Sequence, residues 1–138
     1  MNIGWEFYSV PISKETKFNI NLVYFKELLN SKFSKVELGA SLDASKAEGG
    51  KKVYEVKCSG CHKLTEEKLV GPGWKGVSER NKPEWIMNFI TNPNAMIDKD
   101  PKLQAQLEIC LVRMPNQSLS DDDARNLLEF MRKNDGVK

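Results

Sequence analysis

The strongest constraint in this chain is the pentapeptide Cys58-Ser59-Gly60-Cys61-His62. It holds two of the three cysteines and the only histidine of the 138 residues. The preceding segment, from Glu48 to Lys57, lacks proline and places Val53, Tyr54 and Val56 on a candidate buried helix face. The spacing therefore predicts a helix that runs directly into the cysteine motif.

The cysteine spacing itself suits three chemistries: a redox dithiol, a zinc site and covalent haem attachment. A thioredoxin-like dithiol should follow a strand in a βαβ pattern, but a helix is predicted here. Zinc needs four ligands. The candidates are Cys58, Cys61, His62 and Cys110. Of these, Cys61 and His62 are sequence neighbours that would struggle to share one tetrahedral ion. Haem attachment uses the whole motif, because each thiol can add to a porphyrin vinyl group and His62 then lies under the iron as an axial ligand.

The second axial ligand must come from another residue type, since His62 is the only histidine. Methionine, cysteine, lysine, water or an open position all remain. Met87 and Met131 fall inside helical patterns and are interpreted as packing residues. Met96, in a predicted loop, stays an option. Met114 follows a predicted helix and precedes a proline, so an extended backbone can present its thioether.

Three more helices are predicted after the motif. The first begins at Pro83 and ends before Asn92, the second begins at Asp100-Pro101, and the third follows Ser120 as its N-cap. Their apolar faces are formed by Trp85, Ile86, Phe89 and Ile90; by Leu103, Leu107, Cys110 and Leu111; and by Leu127, Leu128, Phe130 and Met131. Together with the helix before the motif, they predict an all-α fold.

Composition excludes several classes of partner. The net charge is +2 with both signs interspersed, so the sequence predicts no cationic face for nucleic acid. No apolar run approaches the roughly 20 residues that span a bilayer, so no transmembrane segment is predicted.

Several motifs occur in an order typical of one family. Gly50, Val53 and Tyr54 precede the cysteine motif, a Gly-Pro loop spans Val70 to Val77, and a Met-Pro loop leads from Met114 into the last helix at Asp121. Over roughly residues 46 to 134 the chain resembles the small monohaem bacterial cytochromes c. The resemblance implies a cytochrome c fold of helices around one covalently attached haem c.

The resemblance also implies roles for single residues. Pro72 would offer its carbonyl to the ring N–H of His62, and Met114 would be the distal iron ligand. The first and last helices would cross near Gly50, whose missing side chain permits close approach to the face formed by residues 127–131.

The function expected from this ligand set is electron transfer by a haem that cycles between Fe(III) and Fe(II), with His62 and Met114 bound in both states. Because six-coordinate iron has no open position, the protein is not expected to be an enzyme. Gln117 could hydrogen-bond the Met114 thioether. Water is expected to be excluded by Val53, Tyr54, Trp74, Trp85, Phe89 and Leu111.

Redox proteins are the expected partners, in weak and short-lived complexes. Covalent haem attachment usually takes place outside the cytoplasm, so the resemblance implies a periplasmic protein whose signal peptide is absent from this numbering. The cytochrome c domain is placed at residues 43–138.

Residues 1–42 have no counterpart in the resemblance and are predicted as an N-terminal extension with a short strand or coil and a helix from about residue 22 to 33. This extension is interpreted as a packing arm, or as an arm for homo- or heterodimer formation. In the alternative function the chain is a haem subunit of a larger assembly, or a redox- or gas-responsive cytochrome. Cys110 thiolate or an open site would then occupy the distal position.

Overall fold

The computed structural model describes residues 31–138, which form six helices and no strand. The helices are α1 (Ala44–Lys57), α2 (Val77–Arg80), α3 (Pro83–Thr91), α4 (Pro93–Ile97), α5 (Pro101–Cys110) and α6 (Asp121–Asn134). An isolated antiparallel bridge joins His62 to Lys68. The predicted all-α fold class is thus confirmed for the described residues.

Helix α1 begins four residues earlier than the predicted start at Glu48. Asp43 is its N-cap, and the carboxylate accepts a hydrogen bond from the Lys46 backbone N–H at 3.0 Å. The predicted buried face of α1 is partly wrong. Tyr54 is buried and Val53 is partly buried, but Val56 is 83% exposed because it lies on the solvent side of the helix.

The first and last helices cross at Gly50, as predicted. Gly50 is buried, and a β-carbon built there would lie 2.1 Å from the backbone oxygen of Asn126 and 2.8 Å from Phe130 Cβ. Helix α6 begins with the predicted N-cap at Ser120, where the hydroxyl accepts from Asp123 N–H and the Asp123 carboxylate accepts from Ser120 N–H. The core lies between these two helices and α3.

Helix α3 matches its predicted start and end, and α5 matches its predicted start. Helix α3 spans Pro83–Thr91, and α5 has Asp100 as its N-cap. Leu111 was expected on the buried stripe of α5, but it ends the helix with a left-handed backbone (φ 61) and is 83% exposed. The left-handed turn rotates its side chain off the stripe formed by the preceding residues.

Two short helices, α2 and α4, were not predicted. Helix α4 begins at Pro93 directly after α3 ends, and it includes Met96, which was expected in a loop. The predicted helix from residue 22 to 33 lies outside the described residues apart from positions 31–33, which are not helical. Among residues 31–138, no helix combines the length and apolar character that crossing a bilayer requires.

Candidate cofactor site

The cysteine motif forms the turn that follows α1. Cys58 is the C-cap of the helix, and its carbonyl accepts hydrogen bonds from the backbone N–H groups of Cys61 at 3.1 Å and His62 at 3.0 Å. The turn leaves Cys58 buried and Cys61 exposed. Burial raises the pKa of the Cys58 thiol to about 11. Two thiols and one imidazole are therefore presented from a single turn, with the first thiol against the core and the second toward solvent.

The His62 ring is held by the Gly-Pro loop. Its Nδ1 lies 2.8 Å from the carbonyl oxygen of Pro72. A carbonyl oxygen can only accept, so this contact places the proton on Nδ1 and leaves the Nε2 lone pair available to a metal. Burial lowers the pKa of His62, and the Pro72 carbonyl opposes this shift, so the ring is predominantly neutral at pH 7.

Three neighbours hold His62 further in place. A β-carbon built on Gly71 would lie 2.4 Å from His62 Cε1, so only glycine fits beside the imidazole. The Tyr54 hydroxyl donates to the His62 carbonyl oxygen at 2.7 Å. Trp74 packs against the ring with 5.6 Å between the centroids. The orientation of His62 is thus set from three sides.

A cavity of about 230 Å³ opens in front of His62. The candidate cofactor residues that line it are Cys61, His62, Pro72, Trp74, Cys110 and Met114. Helices α3 and α5 supply most of the apolar wall, with Trp85, Ile86, Phe89, Ile90, Leu103 and Leu107. The cavity lining therefore offers a nitrogen ligand from His62 and sulfur ligands from Cys110 and Met114. These are ligand types that bind haem iron.

Some of the residues singled out in the sequence do not lie where they were expected, or make contacts that were not expected. Gln117 does not line the cavity, and its side-chain amide donates to the Pro115 carbonyl at 3.3 Å. The predicted hydrogen bond from Gln117 to the Met114 thioether is therefore wrong, because the Gln117 amide donates to the backbone of its own loop instead. Met131 packs in the core, as predicted, but it also reaches the cavity lining. The Cys110 sulfur accepts from the Gln106 side chain at 3.3 Å.

A polar group that was not predicted from the sequence lies on the cavity wall and consists of Arg80, Asn81 and Lys102. The Lys102 ammonium donates to the Asn81 side-chain oxygen and lies 5.0 Å from the Trp85 ring centroid. Burial lowers the pKa of Lys102, Asp100 opposes the shift and the nearby Arg80 adds to it. Two cations on one cavity lining suit an anionic ligand group. No pattern in the sequence predicts this cluster, because its members come from different elements.

The comparisons with known proteins agree with this geometry. Residues 47–135 match the family model described as cytochrome c. A cytochrome c from Rhodothermus marinus has a similar structure, with 33% sequence identity and a TM-score of 0.72 over 75% of this chain and 88% of that one. An engineered form of that cytochrome has 32% identity and a TM-score of 0.71, over 75% of this chain and 89% of that one. A search of curated protein sequences gives no match.

The same engineered protein has also been solved with a bound carbene intermediate, and this structure is 32% identical, with a TM-score of 0.68 over 75% of this chain and 88% of that one. The family match covers more than half of the chain, and it includes the cysteine motif, the Gly-Pro loop and Met114. The chain therefore belongs to the cytochrome c family, whose members carry covalently attached haem c and transfer electrons.

Proposed function

We propose that this protein is a one-electron carrier whose iron is bound by His62 and Met114. One observation carries the proposal: His62, fixed by the Pro72 carbonyl, and Met114 line the same cavity as the motif thiol Cys61. Haem c supplies a centre that accepts and releases a single electron. The remaining contributions come from the residues around it.

The attachment residues and the ligands have separate tasks. Cys58 and Cys61 would hold the porphyrin through thioether bonds, with the buried Cys58 anchoring the side nearest the core. The imidazole of His62 would bind iron through Nε2, while its Nδ1–H keeps donating to Pro72 and raises the basicity of the ligand. Met114, a soft sulfur ligand, would favour the reduced iron.

The cavity lining suits a carrier better than an enzyme. Among the described lining residues there is no aspartate or glutamate, so no carboxylate is available for acid–base chemistry beside the iron. The wall is instead aromatic and aliphatic, with Trp74, Trp85 and Phe89 facing the space. Such a wall excludes water, which favours the less charged ferrous state.

The polar group of Arg80, Asn81 and Lys102 would hold the haem propionates. Burial lowers the pKa of Lys102 and the charge of Arg80 adds to that shift, so carboxylates between the two side chains would favour the charged ammonium. Arg–carboxylate and Lys–carboxylate hydrogen bonds are among the stronger polar contacts in proteins.

Redox partners would approach where the cavity opens. Its lining includes the exposed Cys61, Val70, Val112 and Pro115. A small exposed apolar surface suits short-lived redox complexes. We further propose a periplasmic location, because attachment of haem c usually takes place there in bacteria.

A second candidate has one observation in its favour, since Cys110 lines the same cavity as Met114. Its thiolate could replace Met114 at the iron, which would lower the reduction potential and favour a redox-responsive subunit over a carrier. The Gln106 hydrogen bond to the Cys110 sulfur would then tune the thiolate.

The test is the near-infrared magnetic circular dichroism spectrum of the oxidised haem-loaded protein and of three variants. A methionine-to-iron charge-transfer band that disappears in Met114→Ala, and persists in Cys110→Ala and Met96→Ala, would support the His62/Met114 carrier. Met96→Ala is the matched control, because Met96 does not line the cavity. A thiolate-type spectrum that is lost only in Cys110→Ala would replace the carrier with the second candidate.

A further inference from the structure

Residues 31–43, here called the strap, lie outside the family-matched range and contact two helices inside it. The strap contains no helix or strand. Phe33 and Val36 are partly buried against the hydrophobic core. A segment with no secondary structure of its own must satisfy its backbone polar groups elsewhere, so its hydrogen bonds define how it is held.

Helix α3 holds the first half of the strap with two side chains one turn apart. The buried Asn88 uses both ends of its amide on one residue: Oδ1 accepts from Phe33 N–H at 3.0 Å, and Nδ2 donates to the Phe33 carbonyl at 2.9 Å. The Glu84 carboxylate accepts from Val36 N–H at 2.9 Å. Side chains of α3 thus make the hydrogen bonds to the strap backbone that a neighbouring strand would make in a sheet.

Helix α6 holds the second half. Arg132 donates from Nη2 to the Gly39 carbonyl at 2.8 Å, and Glu129 accepts from Asp43 N–H at 2.9 Å. Arg132 and Glu129 are also paired with each other at 2.7 Å and are buried. The strap is therefore fixed at both ends before α1 begins.

The opposite side of α3 is the wall of the cofactor cavity. Trp85, Ile86, Phe89 and Ile90 line the cavity, whereas Glu84 and Asn88 do not. At 3.6 residues per turn, the two sets of side chains are centred about 150° apart around the helix axis. Helix α3 therefore lies between the strap and the cavity.

We propose that Asn88 and Glu84 are positioning residues which, through the strap, hold the aromatic wall of α3 in place and thereby set the reduction potential. The inference rests on the proposed electron-carrier function. When the strap is released, α3 loses the contacts on its outer side, Trp85 and Phe89 pack less closely, and water reaches the cavity. Water stabilises the more highly charged ferric state, so the potential falls.

The test compares Asn88→Ala with Asn94→Ala in the full haem-loaded chain. Asn94 is exposed on α4 and serves as the matched control. Trypsin cleavage after Lys35 is followed as release of the fragment that begins at Val36, and the midpoint potential is measured on the same samples. We expect Asn88→Ala to speed cleavage about thirtyfold, the factor for local opening after loss of both hydrogen bonds to Phe33, and to lower the potential. Asn94→Ala should change neither.

Substitutions at Glu84 provide a second route if Asn88→Ala folds poorly. Glu84→Gln keeps an oxygen acceptor for Val36 N–H and should retain the potential, whereas Glu84→Ala should lower it. Faster cleavage with an unchanged potential in both alanine variants would overturn the proposal and leave the strap as a stabilising contact only. Unchanged cleavage would overturn it as well.

The methionine-to-iron band of the unaltered protein separates this proposal from the proposed function. If that band is absent while Asn88→Ala still speeds cleavage and lowers the potential, the ligand assignment fails and the role of the strap stands. If the band is present and the potential does not respond to Asn88→Ala, the carrier stands and the strap proposal fails.

Discussion

Gly50 of α1 lies directly on the backbone of Asn126 in α6. A β-carbon added to Gly50 would stand 2.1 Å from the Asn126 carbonyl oxygen and 2.5 Å from its carbonyl carbon. The nearest atoms belong to backbone inside a helix, so neither can rotate away as a flexible side chain would. The crossing of the first and last helices therefore depends on the absence of a side chain at this position.

Gly50→Ala should accordingly destabilise the protein even though alanine favours helix. We expect the free energy of unfolding to fall by about 3 kcal/mol, because the helices must separate or bend to relieve the overlap. Urea denaturation of the haem-loaded protein measures this change. Gly60→Ala is the control, since no atom lies within 4 Å of a β-carbon there, and a comparable loss in that variant would contradict the steric explanation.

Tyr54→Phe tests the hydrogen bond that ties α1 to the His62 backbone. The hydroxyl donates to the His62 carbonyl at 2.7 Å, so the variant should lose about 1 kcal/mol of unfolding free energy. Tyr54→Leu also removes the ring contacts with Trp74 and Phe130, and it should cost about 2 kcal/mol more. Equal stability of Tyr54→Phe and the unaltered protein would mean that the hydroxyl contributes nothing.

The sequence predicted the features that depend on local chemistry. The N-cap at Ser120 was predicted from a serine followed by three aspartates, and the structure adds the reciprocal hydrogen bond of a capping box. The His62 and Pro72 contact is present at 2.8 Å, but it was expected from family resemblance, since ten residues of loop separate the two and spacing alone does not bring them together.

Other features depend on how distant elements meet. Lys102 reaches Asn81 across 21 positions, and no periodicity predicts such a contact. Leu111 and Val56 fit apolar patterns yet are exposed, because a hydrophobic pattern does not reveal where a helix ends or how wide its buried face is. The start of α1 was predicted too late, because the small residues and glycines around Gly49 suggested a hinge. In the structure Asp43 caps the helix and these residues are helical.

Glu129 predicts a particular pH dependence of stability. Burial disfavours its charge, but hydrogen bonds from Asp43 N–H, Arg125 and Arg132 outweigh that effect and lower the pKa of the carboxyl. A lowered pKa in the folded state means that the stabilisation is complete above the unfolded value of about 4.3 and is lost as pH falls through the lower folded value.

The variant Glu129→Gln should therefore lose about 3 kcal/mol of unfolding free energy at pH 7, where the buried Arg132 and the partly buried Arg125 are left without their carboxylate. The difference from the unaltered protein should shrink progressively below about pH 4.3, as measured by urea denaturation across pH. Glu108→Gln, on the exposed side of α5, is the control and should leave the unfolding free energy at pH 7 nearly unchanged. A difference that stays constant down to pH 3 would exclude Glu129 as the titrating group.

Lys102→Met tests the proposed propionate site. Removing a cation from the cavity wall makes the reduced iron less favourable, so the midpoint potential should fall by roughly 20 to 60 mV, which is about a twofold to tenfold change in the one-electron equilibrium. Lys52→Met, on the exposed side of α1, removes the same charge away from the cavity lining and should have a much smaller effect. Because both variants change the net charge equally, a similar fall in both would assign the shift to overall charge and would contradict a specific role for Lys102.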